Sequence, residues 1–271
     1  MVKDLIIGAF KNYNFEQVKP WIHSINECGF KGDKVLIAID ASEETINKIA
    51  QAGFTPISAR SMSGAMFHME RFIHIYDYLK KHNDEYRFVV STDVRDVIFQ
   101  KDPMEYLSQT LTENSGCELI GVSECIKIKN EHWNRDNILK CFGAYFYEEI
   151  KDYEVLNVGT LAGKSHIIAD LCGMLYQLSL NRADWVADQA AYNILLRLDH
   201  YKHSVDFVEQ ETGFATQLGT VWINKDKLPI TEPTPTFKDG KFYNQKGEEF
   251  TIVHQYDRDP QIKKVIYERY N

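Results

Sequence analysis

The chain of 271 residues is long enough for one large α/β domain, and it carries a formal net charge of -8 with a pI near 5.6. This acidic balance argues against a surface made for nucleic acid or for an anionic membrane. The five cysteines are odd in number and form no CxxC pair, and no apolar run is long enough for a signal peptide or a membrane span. We therefore expect a cytoplasmic protein with no nucleic-acid partner and no transmembrane segment.

Strands and helices alternate through the first part of the chain. Apolar runs predict strands at 5–10, 34–40, 54–58 and 88–90, and amphipathic or capped patterns predict helices at 16–28, 42–52 and 72–79. A further short helix is expected to begin at Pro103. Such alternation is typical of an α/β fold with a mostly parallel sheet.

The second part of the chain is less regular in pattern. It predicts strands at 118–124, 153–158, 204–208 and 250–254, with helices at 166–178 and 184–198. The segment 125–150 is rich in aromatic residues and is expected to be irregular, as the wall of a pocket can be. Prolines mark a loop at 229–235, and a turn at Gly240 predicts a β-hairpin.

A cluster of charged residues follows the apolar run at 88–90. Asp93, Arg95 and Asp96 come directly after this predicted strand, at its carboxyl end. Ligands of open α/β sheets bind at that edge, and paired carboxylates there suit a divalent cation that carries phosphates. A surface acidic turn with an Asp–Arg pair is the alternative interpretation.

Other motifs for phosphate and metal binding are incomplete. The segment 159–165, which ends in Gly163-Lys164-Ser165, resembles a nucleotide-binding P-loop but has three residues between its glycines where that loop has four. There is no GxGxxG and no HExxH. His254 ends an apolar strand-like run, where it is either a satisfied core histidine or a metal ligand.

Four short motifs occur in a fixed order along the chain: Asp93-Val-Arg-Asp96, Asn157-Val-Gly159, Asp188-Gln189 and His254. In their order and spacing the chain resembles the GT-A fold nucleotide-sugar glycosyltransferases, most closely the glycogenin-like, family 8-like branch. The resemblance implies a Rossmann-like, mixed and mostly parallel sheet flanked by helices. It further implies a single catalytic domain over 1–271 with a C-terminal hairpin and loop extension.

The resemblance also implies two halves and a metal centre. Residues 1 to about 125 would form the nucleotide-binding half, and about 126–271 the acceptor-side half. Asp93, Asp96 and His254 would hold Mn²⁺ or Mg²⁺. The family pattern is Asp-x-Asp, whereas here Arg95 takes the second acid's place. Either Asp96 serves from an adjusted turn, or only one carboxylate binds the metal.

By the same resemblance, Asn157 and Gly159 lie beside the donor sugar, and Asp188 and Gln189 contact its hydroxyl groups as catalytic residues. The nucleotide and diphosphate would be bound by residues spread over the chain: Phe10, Tyr13, Asp40, Arg71, Arg95 and Arg258, with Lys263 or Lys264 as alternatives to Arg258. Arg71 taken alone is more often a solvated helix charge, and Arg95 either meets a phosphate or pairs with Asp40 or Asp96.

These implications describe a metal-dependent glycosyltransferase. It would move a sugar from a UDP-sugar, or a GDP-sugar, to a hydroxyl of a glycan or glycoconjugate, with retention of configuration. An inverting enzyme, in which Asp184 or Asp188 is examined as the base, is one alternative. A non-catalytic nucleotide-sugar or glycan-binding module and a P-loop-like phosphotransferase are the others. The oligomeric state is left open.

Overall fold

A computed structural model describes residues 2–62, 66–182, 186–198 and 201–270. Its strands are β1 (Lys3–Lys11), β2 (Asp33–Ile39), β3 (Thr55–Ala59), β4 (Tyr86–Thr92), β5 (Val97–Phe99), β6 (Leu119–Lys127), β7 (Glu154–Leu156), β8 (Thr160–Lys164), β9 (Val205–Val208), β10 (Ala215–Gln217), β11 (Thr236–Lys238), β12 (Lys241–Tyr243) and β13 (Ile252–His254). Its α-helices are α1 (Phe15–Glu27), α2 (Glu43–Gln51), α3 (Phe67–Lys81), α4 (Pro103–Thr110), α5 (His132–Phe142), α6 (Ala144–Ile150), α7 (Ser165–Ser179), α8 (Ala187–Arg197), α9 (Leu218–Val221) and α10 (Pro260–Arg269).

The large sheet has the order β3-β2-β1-β4-β8-β6-β7, and β9 pairs with β6. Strands β1 to β4 run parallel to one another. Strand β8 lies antiparallel between β4 and β6. The expected mixed and mostly parallel sheet is confirmed, and it gathers the ends of several strands at one edge.

Alternating residues of the central strands fill two separate cores. Ile7 and Val89 point to the side covered by α3, α7 and α8. Ile6 and Val90 point to the other side, where α1 and α4 pack. Helices therefore cover both faces of the sheet, because both sets of side chains are apolar and must be removed from water.

A second, smaller sheet is built from β5, β10 and β13. Strand β13 runs antiparallel to β5, with His254 opposite Val97, and parallel to β10, with His254 opposite Gln217. This sheet brings a late segment of the chain back to the end of β4. The hairpin expected around Gly240 is present as β11 and β12.

Most of the predicted strands and helices have a counterpart in the structure, but the segments 125–150 and 159–165 differ from what was expected. The expectation that 125–150 is irregular is wrong, because this segment holds the end of β6 and the helices α5 and α6. The Glu131 carboxylate accepts from the backbone N–H groups of Trp133 and Asn134, and this capping starts α5. Gly143 has φ of 88° and separates the two helices.

The P-loop-like segment is a strand in the structure. Residues 160–164 form β8, whose backbone pairs with β4 and β6, and Lys164 lies 3.4 Å from the Glu118 carboxylate. Backbone N–H groups held in a sheet ladder cannot wrap a phosphate as a P-loop does. This geometry argues against the phosphotransferase alternative.

Composition also led to expectations about the cysteines and about membrane-spanning segments. None of the five cysteines forms a disulfide bond. Among the described residues, no helix combines the length and the apolar character needed to cross a bilayer.

We expect Trp21→Ala to destabilise the protein strongly. The Trp21 ring is fully buried between Phe54 and Phe99, and its Nε1–H donates to Thr92 Oγ1 at 2.8 Å. The cavity and the unpaired hydroxyl should lower the free energy of unfolding by about 3–5 kcal/mol in a urea titration. Trp133→Ala, at an indole that is 47% exposed, should change it by no more than about 0.5 kcal/mol. Equal effects of the two substitutions would contradict this account of the core.

Candidate active site

Two acidic residues flank the short connection between β4 and β5. Asp93 follows the last residue of β4, and Asp96 precedes the first residue of β5. His254 ends β13, and the pairing of β13 with β5 carries it to the same place. Its Nε2 lies 3.5 Å from Asp93 Oδ2 and 3.7 Å from Asp96 Oδ1. The structure thus brings together the three residues that the sequence comparison grouped as metal ligands.

The orientation of the His254 ring is set by a residue that the sequence analysis missed. His254 Nδ1 lies 2.7 Å from Gln217 Oε1, an atom that can only accept, so Nδ1 carries the hydrogen. Burial lowers the pKa of His254, which favours the neutral imidazole. The Nε2 lone pair therefore faces two carboxylates.

This donor set fits a divalent cation. One ligand atom from each of Asp93, Asp96 and His254 falls within a group whose members all lie within 4.8 Å of one another. Neighbouring ligand atoms of an octahedral ion bound at about 2.1 Å are about 3 Å apart, so small side-chain shifts would complete such a site. A lone pair directed at two carboxylates is also unfavourable without a positive charge between them.

Arg95, which takes the place of the second acid in the family pattern, lies close to two carboxylates. Arg95 Nε lies 3.2 Å from Asp257 Oδ2, and its Nη2 lies 3.8 Å from Asp96 Oδ2. Of the two acids considered as structural partners, Asp96 is therefore the one that Arg95 approaches, while the Asp40 carboxylate accepts from the backbone N–H of Ser61. The Arg95 side chain is 42% exposed, so a phosphate can also reach it.

Arg71 is not a solvated helix charge. It is only 8% exposed on α3, and its guanidinium contacts Asp93 through Nη1 and Asp188 Oδ2, at 3.2 Å, through Nη2. A buried arginine between two acids compensates charges that would otherwise repel each other. Arg71 thereby joins the metal-ligand candidates to the first turn of α8.

Asn157 and Gln189 meet at a buried carboxylate that the sequence analysis did not identify as functional. Glu124 Oε1 accepts from Asn157 Nδ2 at 2.7 Å and from Gln189 Nε2 at 2.9 Å. Its Oε2 accepts from Thr220 Oγ1 at 3.0 Å. Glu124 follows the apolar run of a predicted strand and was therefore taken as an ordinary strand residue; the signal that could have marked it is an acidic side chain at the predicted end of that strand.

Gly159 lies where three site residues approach one backbone position. A Cβ atom at this residue would lie 2.5 Å from His254 Cε1, 2.8 Å from Asp93 Oδ2 and 2.9 Å from Asn157 Oδ1. The Gly159 carbonyl also accepts from the Asp93 backbone N–H at 2.9 Å. A glycine is needed at this position because a side chain would push His254, Asp93 or Asn157 out of place.

The residues expected at the nucleotide differ in accessibility. Phe10 has no exposed surface and stacks parallel to Tyr13, so only Tyr13 can offer a ring face to a base; the expectation for Phe10 is corrected. Asp40 is exposed at the end of β2. Arg258, with a side chain that is 54% exposed, follows His254 in a 3₁₀ turn.

Three candidates remain: two lysines and one aspartate. Lys263 and Lys264 lie on α10, where their amino groups approach the Tyr267 ring and the Glu268 carboxylate. Asp184, considered as a base for an inverting reaction, lies outside the described residues.

The sequence matches no protein-family model and no curated protein sequence. The structure is similar to that of an active-site mutant of LgtC, with a TM-score of 0.59 and 12% identity, over 96% of this chain and 94% of that one. It is also similar to mouse xyloside xylosyltransferase 1, with a TM-score of 0.56 and 10% identity, over 94% and 98% of the two chains.

A third similar structure is the glycosyltransferase GlyE of Streptococcus pneumoniae TIGR4, with a TM-score of 0.55 and 13% identity. This similarity covers all of the present chain and 62% of GlyE. At such low identities the similarities establish the fold, which is the GT-A fold.

We expect Gly159→Ala to weaken binding of Mn²⁺ by at least about tenfold, because the added methyl group displaces His254 or Asp93. Electron paramagnetic resonance of free Mn²⁺ in a titration measures this affinity. Gly173→Ala is the matched control, since its methyl group would meet only the Tyr76 ring, at 3.2 Å. If Gly159→Ala bound Mn²⁺ as tightly as the control, the close approach at Gly159 would not govern the metal site.

Proposed function

We propose that this protein is a metal-dependent glycosyltransferase that moves a sugar from a nucleotide-diphosphate sugar to a hydroxyl of a glycan or glycoconjugate. The observation that carries the proposal is the convergence of Asp93, Asp96 and His254 Nε2 at the carboxyl edge of a GT-A sheet. Glycosyl transfer also fits the similar structures, among them the galactosyltransferase LgtC, which was solved with donor and acceptor sugar analogs.

Asp93, Asp96 and His254 would hold Mn²⁺ or Mg²⁺. Bound there, the ion would supply positive charge against the departing nucleoside diphosphate. Arg258 and Arg95, both partly exposed beside the ligands, would add further positive charge for the phosphates. Tyr13 would stack on the base and Asp40 would bind the ribose, which places the nucleotide at the ends of β1 and β2.

The donor sugar would lie between the metal and α8. Asn157, Gln189 and Asp188 gather there, and Gly159 leaves room for close approach to the strand end. In this arrangement residues 1 to about 125 hold the nucleotide, and 126–271 supply the sugar and acceptor side. Because the metal-ligand candidate His254 belongs to 126–271, the complete metal site would need both halves of the chain.

The environment of Asp188 bears on whether the reaction retains or inverts the configuration of the sugar. An inverting enzyme needs a carboxylate that accepts the acceptor's proton. The Asp188 carboxylate is buried, and its Oδ2 lies 3.2 Å from Arg71 Nη2, so the ion pair occupies an oxygen that a base would need for the acceptor hydroxyl. This pairing supports a retaining reaction, as in the glycogenin-like branch. The family resemblance alone favours UDP as the nucleotide, with GDP as the alternative.

A donor-hydrolysis assay tests the proposal. The protein with Mn²⁺ is incubated with UDP- and GDP-hexoses, and release of the free nucleoside diphosphate is measured. We expect release with at least one donor, loss of release on adding EDTA, and a decrease of at least about a hundredfold in Asp96→Asn, which removes a metal-binding charge.

Lys164→Met is the control, because Lys164 pairs with Glu118 in the sheet and touches none of the metal-ligand candidates. Its hydrolysis rate should equal that of the unsubstituted protein. Tight ATP binding that depends on Lys164 would contradict the proposal and favour a phosphotransferase. Donor binding without release, even with a mixture of glycan acceptors, would favour a non-catalytic binding module.

A further inference from the structure

Glu124 is a buried acid with an unusually complete set of neutral donors. It is 7% exposed on β6, and its carboxylate accepts from two amide groups and one hydroxyl. Burial raises the pKa of Glu124, while these hydrogen bonds favour the ionised form. Such a group is costly to bury, so its donors must be held with good geometry.

Each of the two amides is fixed at its other end as well. Asn157 Oδ1 accepts from the Gly159 backbone N–H at 2.8 Å, and Gln189 Oε1 accepts from the Val158 backbone N–H at 2.8 Å. In each amide the oxygen faces a backbone N–H and the nitrogen faces the Glu124 carboxylate. Neither amide can flip, because the flipped group would place its oxygen against the carboxylate and its nitrogen against the N–H. Each nitrogen carries a second hydrogen, for which the described part of the protein provides no acceptor.

We infer that Glu124 is a positioning residue that aims the amide groups of Asn157 and Gln189 at the donor sugar, and so determines which sugar is accepted. The inference rests on the proposed function, because it assigns the spare N–H groups to sugar hydroxyls. The hydrogen-bond partners of Glu124 in the described residues are Asn157, Gln189 and Thr220, none of which is proposed to bind the nucleotide. The contribution of Glu124 is therefore confined to the sugar.

The third donor to Glu124, the Thr220 hydroxyl, connects Glu124 with the metal side of the proposed site. Thr220 lies on α9, which begins immediately after Gln217, the residue that orients His254. The segment 217–220 thus contacts the ring of the late metal-ligand candidate at one end and Glu124 at the other. Through this segment the positions of sugar and metal are set together.

The test compares binding of UDP and GDP with binding of their hexose conjugates, by calorimetry in the presence of Mn²⁺. The quantity of interest is the ratio between the two affinities, which isolates the contribution of the sugar. Glu124→Ala should reduce affinity for the nucleotide sugar at least about tenfold, and affinity for the free nucleotide less than about threefold, because only sugar contacts are misaligned.

Glu124→Gln is the conservative variant. Its Oε1 can accept from both amides, and its Nε2 can donate to the Thr220 hydroxyl, so both affinities should stay within about threefold of the original values. Thr220→Val keeps the two amide contacts and removes one hydrogen bond. It should cause a smaller loss, of about threefold, again restricted to the nucleotide sugar, and it serves where Glu124→Ala fails to fold.

The outcomes separate this inference from the proposed function. If the unsubstituted protein binds neither nucleotides nor nucleotide sugars, both are wrong. If it binds them, but Glu124→Ala or Thr220→Val weakens both ligands equally, the role of Glu124 is structural and the inference alone fails. A loss in Glu124→Gln as large as that in Glu124→Ala would also overturn it, because charge and not positioning would then be the requirement.

Discussion

Carboxylates of like charge crowd the carboxyl edge of the large sheet, and the rest of the site follows from how their repulsion is compensated. Asp93 and Asp188 share the buried Arg71 guanidinium. Among the described residues Glu124 has no cation in contact and depends on three neutral donors. Asp96 is left with the distant Arg95, 3.8 Å away, and with the lone pair of His254. Positive charge is therefore deficient where the metal is proposed.

The small sheet of β5, β10 and β13 makes this crowding possible. Its strands are only three residues each, yet their register puts His254 opposite Val97 on one side and opposite Gln217 on the other. Val97 is thus adjacent to the metal-ligand candidate Asp96, and Gln217 orients the His254 imidazole. Strand pairing fixes side-chain positions more firmly than a loop would, which suits a site that must hold repelling groups.

Local patterns in the sequence predicted the sheet, most helices and the grouping of Asp93 and Asp96, because strand ends and apolar periodicity are short-range features. His254 was grouped with them through a family resemblance, and the structure explains its place through the pairing of β13 with β5. The segment 125–150 was misread because its aromatic residues obscured the helical period, while caps at Glu131 and Gly143 determined the outcome.

The residues that were missed or misjudged are those whose role depends on distant partners. Gln217, Glu124 and Thr220 have no distinguishing local pattern, and their contacts span many residues of sequence. Phe10 has the composition of a stacking residue but lies in a strand position that faces the core.

The late position of β13 has a consequence for the order of events during synthesis. Strand β5 is made long before its antiparallel partner β13, because most of the described elements lie between the two in sequence. Until then the edge of β5 is unpaired, and the acids beside it lack the imidazole that faces them in the finished protein. A nascent or shortened chain that ends before residue 252 would carry Asp93 and Asp96 without the imidazole of His254. The three metal-ligand candidates would then come together in one step, when β13 pairs with β5.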